Sequence, residues 1–183
     1  PHERLSPHLS ALVLMSHVKE GQELAAEMRL PPIVGSVIAQ HHGTSLVSFM
    51  YQRAQAEATN GEQVRESDYR YPGPKPQTKE NAIIMLADTV EAAARTLEEP
   101  TRPRLEALVD RLVDARIADG QLDESPLTFK DITIVKESFV NTLAGMFHQR
   151  LAYPSEAPRH ATPALAPEPE SEPEEAERVG IAD

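Results

Sequence analysis

Apolar residues recur at helical spacing through most of this chain, in segments that begin at a Ser, Thr or Pro and end at a Gly or Pro. Strand patterns are scarce, because apolar and polar residues rarely alternate and aromatic residues make up only 4% of the sequence. Both observations predict an all-α protein. The predicted helices cover residues 7–19, 22–28, 32–42, 44–57, 78–97, 102–118 and 128–151, with Ser6, Thr44, Thr78 and Thr128 as N-caps.

The last thirty residues differ in composition from the rest of the chain. Residues 154–183 are dominated by Pro, Glu and Ala and contain few apolar side chains that could be buried. Such a composition predicts a disordered acidic tail. The expected folded domain therefore covers residues 1–153, and we expect no chemical role for the tail.

Composition excludes several classes of protein. The chain has no cysteine, which excludes a disulfide framework and a thiolate metal site. It has no apolar run long enough to cross a bilayer and no signal-peptide pattern. The net charge of −11 speaks against extended nucleic-acid binding, although two or three local cations suffice for a small anion. Since the first residue is not methionine, we expect a piece of a longer protein.

Three histidines and one aspartate are the strongest candidates for chemistry. His41 and His42 end an apolar helical run, His17 lies in the first helix, and Asp88 interrupts an apolar helix. Imidazole and carboxylate groups on neighbouring helices form metal sites in helical bundles, and a buried carboxylate needs a cation or a metal. The alternatives are hydrogen-bonded core histidines and a buried salt bridge or edge position for Asp88. Convergence of the four side chains would favour metal binding.

A proline-rich segment before the Asp88 helix carries cations and tyrosines on a stiff backbone. Arg70 and Lys75 can bind phosphate oxygens, and Tyr69 or Tyr71 can stack on a base. Lys79 lies at the N-terminus of the next helix, where free N–H groups favour an anion. The alternative is a structured linker with surface charges. With Asp88 on the following helix, the segment is consistent with phosphoester chemistry.

Four motifs, which follow one another along about residues 1–154, together resemble those of the HD-domain phosphohydrolases of the seven-transmembrane HD-receptor family. They are Ser16-His17, His41-His42-Gly43-Thr44, the segment 69–76 and the segment 87–92. The resemblance implies an HD-domain-like helical bundle with two divalent metal ions, manganese or iron, and hydrolysis of cyclic di-AMP to pApA. It implies one metal bound by His17, His41 and His42 and a second bound by the catalytic Asp88. Arg70, Tyr71, Lys75 and Lys79 would then bind the cyclic dinucleotide.

One departure from the family pattern affects the expected boundaries. The family's upstream histidine and its His-Asp pair are absent, since no His-Asp dipeptide occurs in the sequence. We therefore expect the C-terminal portion of an HD domain, inactive alone, with some apolar faces exposed and the metal centre completed by upstream residues.

The resemblance also implies a parent protein, a bacterial membrane receptor with this domain in the cytoplasm, whose oligomeric state stays open. A non-catalytic helical module that senses a nucleotide is the alternative function. A helical scaffold whose histidines serve only in packing is a third reading. The residues themselves do not choose the native metal, nor cyclic di-AMP over cyclic di-GMP.

Overall fold

The computed structural model describes residues 5–59 and 63–151, with the backbone alone for residues 148–151. These ranges contain α-helices and one 3-10 turn and no β-strand, which confirms the predicted all-α class. The predicted disordered tail lies outside the described residues. The elements are α1 Pro7–Glu27, α2 Pro32–Gln40, α3 Ser48–Glu57, the 3-10 turn Glu66–Tyr69, α4 Lys79–Ala94, α5 Arg102–Ala118 and α6 Phe129–Leu151.

Three of the four predicted N-caps are confirmed. The side chains of Ser6, Thr78 and Thr128 each accept a hydrogen bond of 3.2–3.3 Å from the backbone N–H three residues further on. The prediction for Thr44 is wrong, because α3 begins at Ser48. The Thr44 hydroxyl, which an N-cap would use, instead accepts from Nε2 of Gln121, 77 residues away, at 3.0 Å, and the Thr44 N–H donates to Oε1 of the same residue.

Helix α1 is one continuous helix, and the prediction of separate helices over 7–19 and 22–28 is wrong. Gly21 lies within it, at a position where an added Cβ would come within 3.0 Å of Ile38 Cγ2 on α2. The missing side chain lets α2 pack closely against α1. This contact supports helical structure at a residue whose own helical propensity is poor.

The buried side chains form two clusters. The larger joins α4, α5 and α6 around residues such as Leu86 and Val109, and the smaller joins α1, α3 and the 3-10 turn around Ala11 and Met50. Helix α2 contacts both α1 and α4. It therefore spans the junction of the two clusters, and its C-terminal end carries the histidine pair His41-His42 to that junction.

One apolar face of α1 is exposed. Leu9, Leu12 and Val13 are 45–54% exposed, although their spacing predicted one apolar helix face, whereas the small residues Ser10 and Ala11 are fully buried. Small side chains allow α1 to lie close to α2 and α3, so the larger apolar side chains point outward. The expected exposure of some apolar faces is found here.

No helix among the described residues combines the length and the apolar character that crossing a bilayer requires.

Candidate metal centre

Three helices bring the predicted metal ligands together. His17 lies within α1, His41 and His42 directly follow α2, and Asp88 lies within α4. One ring nitrogen from each of the three histidines lies within 4.8 Å of the other two. Nδ1 of His42 lies 3.7 Å from Oδ2 of Asp88. The four side chains therefore form one cluster, which we call the histidine cluster.

His17 and His41 face each other through their outer ring nitrogens. Their Nε2 atoms lie 3.2 Å apart, and the Nδ1 atoms contact the backbone carbonyls of Leu14 and Ile38 respectively. Those carbonyls favour the tautomer protonated at Nδ1, which leaves both Nε2 lone pairs facing the same point. Two nitrogen ligands about 2.1 Å from one metal lie about 3–3.4 Å apart. The pair therefore fits a shared metal ion.

His42 is enclosed between aromatic rings. Its ring centroid lies 4.1 Å from that of His41 and 4.3 Å from that of Tyr71. Burial, followed by the neighbouring His41 and His17, lowers the pKa of His42 from 6.5 to about 3. His42 is therefore neutral near pH 7, which is the form of imidazole that binds a divalent metal.

Asp88 lies at the open side of the histidine cluster. Its side chain is 48% exposed, which agrees with the edge position and not with the buried salt bridge among the alternatives for Asp88. Its apolar sequence neighbours belong to other faces of α4, where Leu86 and Val90 contact the core. An exposed carboxylate beside His42 needs no buried salt bridge and is available as an oxygen ligand.

A tight turn positions His42. Gly43 has φ +51°, and an added Cβ would come within 2.6 Å of Gln121 Oε1 and 2.7 Å of Met85 Cε. The fully buried Gln121 accepts a hydrogen bond of 2.9 Å from the Thr44 N–H. The α5–α6 connection therefore fixes the direction of the backbone after His42. The sequence did not predict this role of Gln121, since only the folded chain brings it to Gly43.

Three of the predicted phosphate-binding side chains form ion pairs with aspartates of the α5–α6 region. Arg70 also donates to the Thr44 carbonyl at 2.9 Å, and its hydrogen bonds are the main cause that lowers the pKa of Asp119. The contacts attach segment 70–79 to α5 and α6, as in the structured-linker alternative. The pairs are Arg70–Asp119 at 2.8 Å, Lys75–Asp123 at 3.9 Å and Lys79–Asp131 at 2.7 Å.

Tyr71 is the predicted nucleotide-binding residue that the structure brings to the histidine cluster. Its ring lies over His42 with an interplanar angle of 31°, and its centroid lies 6.0 Å from that of His17. Burial, and then the charge of Asp88, raise the pKa of Tyr71. Tyr71 therefore keeps its phenolic proton near neutral pH and can donate a hydrogen bond at the edge of the cluster.

One cation at the histidine cluster was not predicted from the sequence. Arg116 of α5 is partly buried, and its Nε donates to Oγ1 of Thr89, 3.3 Å away. Burial lowers the pKa of Arg116, and Asp88 and Tyr71 lie within its electrostatic range. No sequence signal distinguishes Arg116 from the other arginines of α5, which are Arg102, Arg104 and Arg111.

Comparison with known proteins identifies close relatives, although no protein-family model matches the chain. The cyclic-di-AMP phosphodiesterase PgpH of Listeria monocytogenes serotype 1/2a (strain 10403S) is 42% identical over 156 residues. The protein of the same name from Bacillus subtilis (strain 168) is 42% identical over 154 residues. These alignments cover 85% and 84% of this chain but 21% of each relative, so the chain spans about a fifth of their length.

Solved structures show the same relationship. The crystal structure of the Listeria monocytogenes PgpH HD domain has a TM-score of 0.75 and 40% sequence identity, over 81% of this chain and 68% of that one. The same domain in complex with cyclic di-AMP also has a TM-score of 0.75, over 80% of this chain and 67% of that one. The described helices therefore have an HD-domain fold, and the chain belongs to the family of the PgpH HD domain.

Proposed function

We propose that this chain is the C-terminal portion of the HD domain of a metal-dependent phosphodiesterase that hydrolyses cyclic di-AMP to pApA. The observation that carries the proposal is the convergence of His17, His41, His42 and Asp88 in a chain with relatives named cyclic-di-AMP phosphodiesterases. Imidazole ligands suit iron, and carboxylate ligands suit manganese. The mixed ligand set therefore supports a centre of two Mn²⁺ or Fe²⁺ ions.

In this proposal the histidine cluster supplies part of the metal centre. His17, His41 and His42 hold one metal and Asp88 holds the other, with further ligands from parts of the HD domain outside this chain. When bound, such a metal pair supplies Lewis acidity toward the phosphodiester and an activated water. The half-exposed carboxylate of Asp88 lies at the open side, where a ligand can enter.

The surrounding side chains prepare this site for a substrate. Backbone carbonyls orient His17 and His41 in advance, so little reorganisation accompanies metal binding. Tyr71 covers His42 and excludes water from one side of it. Its ring can also pack against a nucleobase. Nucleotide binding by Arg70, Lys75 and Lys79 stays a prediction, and their ion pairs favour a structural role.

The remaining proposals concern the intact protein. We propose that it is anchored in a bacterial membrane through segments outside this chain, with this domain in the cytoplasm. Homo-oligomers are compatible with the proposal.

The test uses the intact protein that contains this chain. It is purified, its metal content is measured, and it is incubated with cyclic di-AMP with and without Mn²⁺. We expect pApA as the chromatographic product, complete loss of cleavage after chelation, and loss of cleavage in His42→Ala and Asp88→Ala. Tight binding of cyclic di-AMP without cleavage in any metal-loaded preparation would overturn the enzyme proposal and support the nucleotide-sensing module.

A further inference from the structure

Arg116 approaches the histidine cluster from the α5 side. Its Nε donates to Oγ1 of Thr89, and Thr89 directly follows the proposed ligand Asp88. Its charge acts on both His42 and Tyr71, which are stacked on each other. The guanidinium therefore lies beside the groups that surround the proposed metal centre.

The guanidinium of Arg116 forms no ion pair with any described residue. Within 5–59 and 63–151, no carboxylate oxygen lies within 4.0 Å of its nitrogens, and its terminal nitrogens have no hydrogen-bond acceptor. Asp119, which directly follows α5, already binds Arg70 at 2.8 Å and Gln121 at 2.9 Å. A partly buried cation without a close counter-ion is unfavourable unless an anion accompanies it.

The other candidate cations are engaged elsewhere. Arg70, Lys75 and Lys79 each pair with an aspartate. Arg116 thus differs from them, because a guanidinium next to the metal ligands retains donors that are not used by the protein. Guanidinium N–H groups have the planar geometry that matches two phosphate oxygens.

We propose that Arg116 is a substrate-binding residue whose terminal N–H groups donate to the non-bridging oxygens of the phosphodiester at the histidine cluster. This inference rests on the proposed function. The ligand class is a phosphate ester, because a delocalised cation beside metal ligands favours an anionic oxygen over a neutral base. The same contact holds the product phosphate after cleavage.

The test compares Arg116→Gln and Arg116→Lys with Arg111→Gln, a control on an exposed position of the same helix. In the metal-loaded intact protein, kcat and KM are measured for cyclic di-AMP and for bis(p-nitrophenyl) phosphate, together with equilibrium binding of pApA. We expect Arg116→Gln to lower kcat/KM and pApA affinity by roughly 10- to 100-fold at unchanged metal content. Arg116→Lys should recover part of this loss, and Arg111→Gln should behave as wild type.

Two results would overturn the inference. The first is Arg116→Gln matching Arg111→Gln in pApA binding and in cleavage. The second is a loss that accompanies lower metal content or a lower unfolding temperature and that Arg116→Lys does not relieve. Wild-type protein that cleaves bis(p-nitrophenyl) phosphate but not cyclic di-AMP would refute the proposed function alone. The role of Arg116 is then still decided by comparing its variants with Arg111→Gln in cleavage of the simple diester and in binding of pApA.

Discussion

The Nε2 atoms of His17 and His41 lie 3.2 Å apart, and Nδ1 of each ring contacts a carbonyl of its own helix. Two rings with the Nδ1-protonated tautomer direct their Nε2 lone pairs at each other, which is unfavourable without a cation between them. A divalent metal would turn this repulsion into a link between α1 and the end of α2. Metal binding should therefore couple directly to the stability of the fold.

The first prediction concerns this coupling. Mn²⁺ at 100 times its dissociation constant should stabilise the protein by about 2.7 kcal/mol. His17→Ala should remove most of the effect, whereas His8→Ala, on the same helix but outside the histidine cluster, should retain it. Thermal unfolding with and without Mn²⁺ measures the shift. An unchanged Mn²⁺ effect in His17→Ala would contradict metal binding by this histidine.

The second prediction concerns Asp88. Asp88→Asn removes a ligand charge but little packing, because the side chain is 48% exposed. We expect kcat/KM for cyclic di-AMP to fall by roughly 100-fold or more, with a change in unfolding free energy within about 0.5 kcal/mol. Glu91→Gln, one turn further along α4, serves as the control and should retain activity. Wild-type cleavage rates in Asp88→Asn would refute the proposed ligand role.

The third prediction follows from the lowered pKa of His42, which is about 3 in the folded protein and 6.5 when unperturbed. Between these values the unfolded chain binds the extra proton, so the folded state loses stability as the pH falls below 6.5. In metal-free protein this residue should lower the free energy of unfolding by about 2 kcal/mol between pH 7.5 and pH 5.

Urea unfolding gives the free energy of unfolding of wild type and of His42→Gln at both pH values. The contribution of His42 is the difference between the two proteins in how much this free energy changes with pH, which we call the pH slope. His8→Gln should keep the wild-type slope. Equal slopes in wild type and His42→Gln would show that burial does not hold His42 neutral.

The fourth prediction compares two glycines. Gly43→Ala places a Cβ at φ +51° against Gln121 and Met85, and we expect a destabilisation of about 1–3 kcal/mol with displacement of His42. Gly35→Ala is the matched control, because a Cβ there meets no heavy atom within 4 Å. This helical substitution should stabilise by about 0.5–1 kcal/mol. Denaturant unfolding tests both, and equal effects would contradict the special role of Gly43.

The fifth prediction separates Arg70 from Arg116. Arg70→Gln removes the contacts with Asp119 and Thr44, both partly buried, and should destabilise the fold by about 1–3 kcal/mol. Its KM for cyclic di-AMP should stay within about threefold of wild type at a temperature where the variant is folded. A raised KM with no loss of stability would instead support the predicted substrate contact of Arg70.

Some of the fold follows from local chemistry. Ser6, Thr78 and Thr128 cap helices because each hydroxyl needs only an N–H three residues away. The bounds of α5, at 102 and 118, match the prediction because the apolar spacing of this helix and the glycine after it are local patterns too. His17, His41, His42 and Asp88 were recognisable as candidates from residue type and helical context.

Other features depend on contacts between distant residues. Helix α1 continues through Gly21 because Ile38 lies against it. Thr44 caps no helix, because its hydroxyl binds the side chain of Gln121 and α3 begins four residues later. The sequence left both burial and an edge position open for Asp88, because it shows the apolar neighbours of a carboxylate but not the direction of its helix face.

The sequence by itself determined the all-α class, three of the helix caps and the kinds of side chain available for chemistry, because periodicity and capping act over three or four residues. Tertiary structure alone decided that Arg70 pairs with an aspartate and that Arg116 lies beside the histidine cluster. Those contacts join residues 49 positions apart for Arg70 and Asp119 and 27 apart for Arg116 and Thr89. No local pattern encodes such pairs, since the first forms only when the segment after the 3-10 turn lies against the end of α5, and the second only when α4 and α5 pack together.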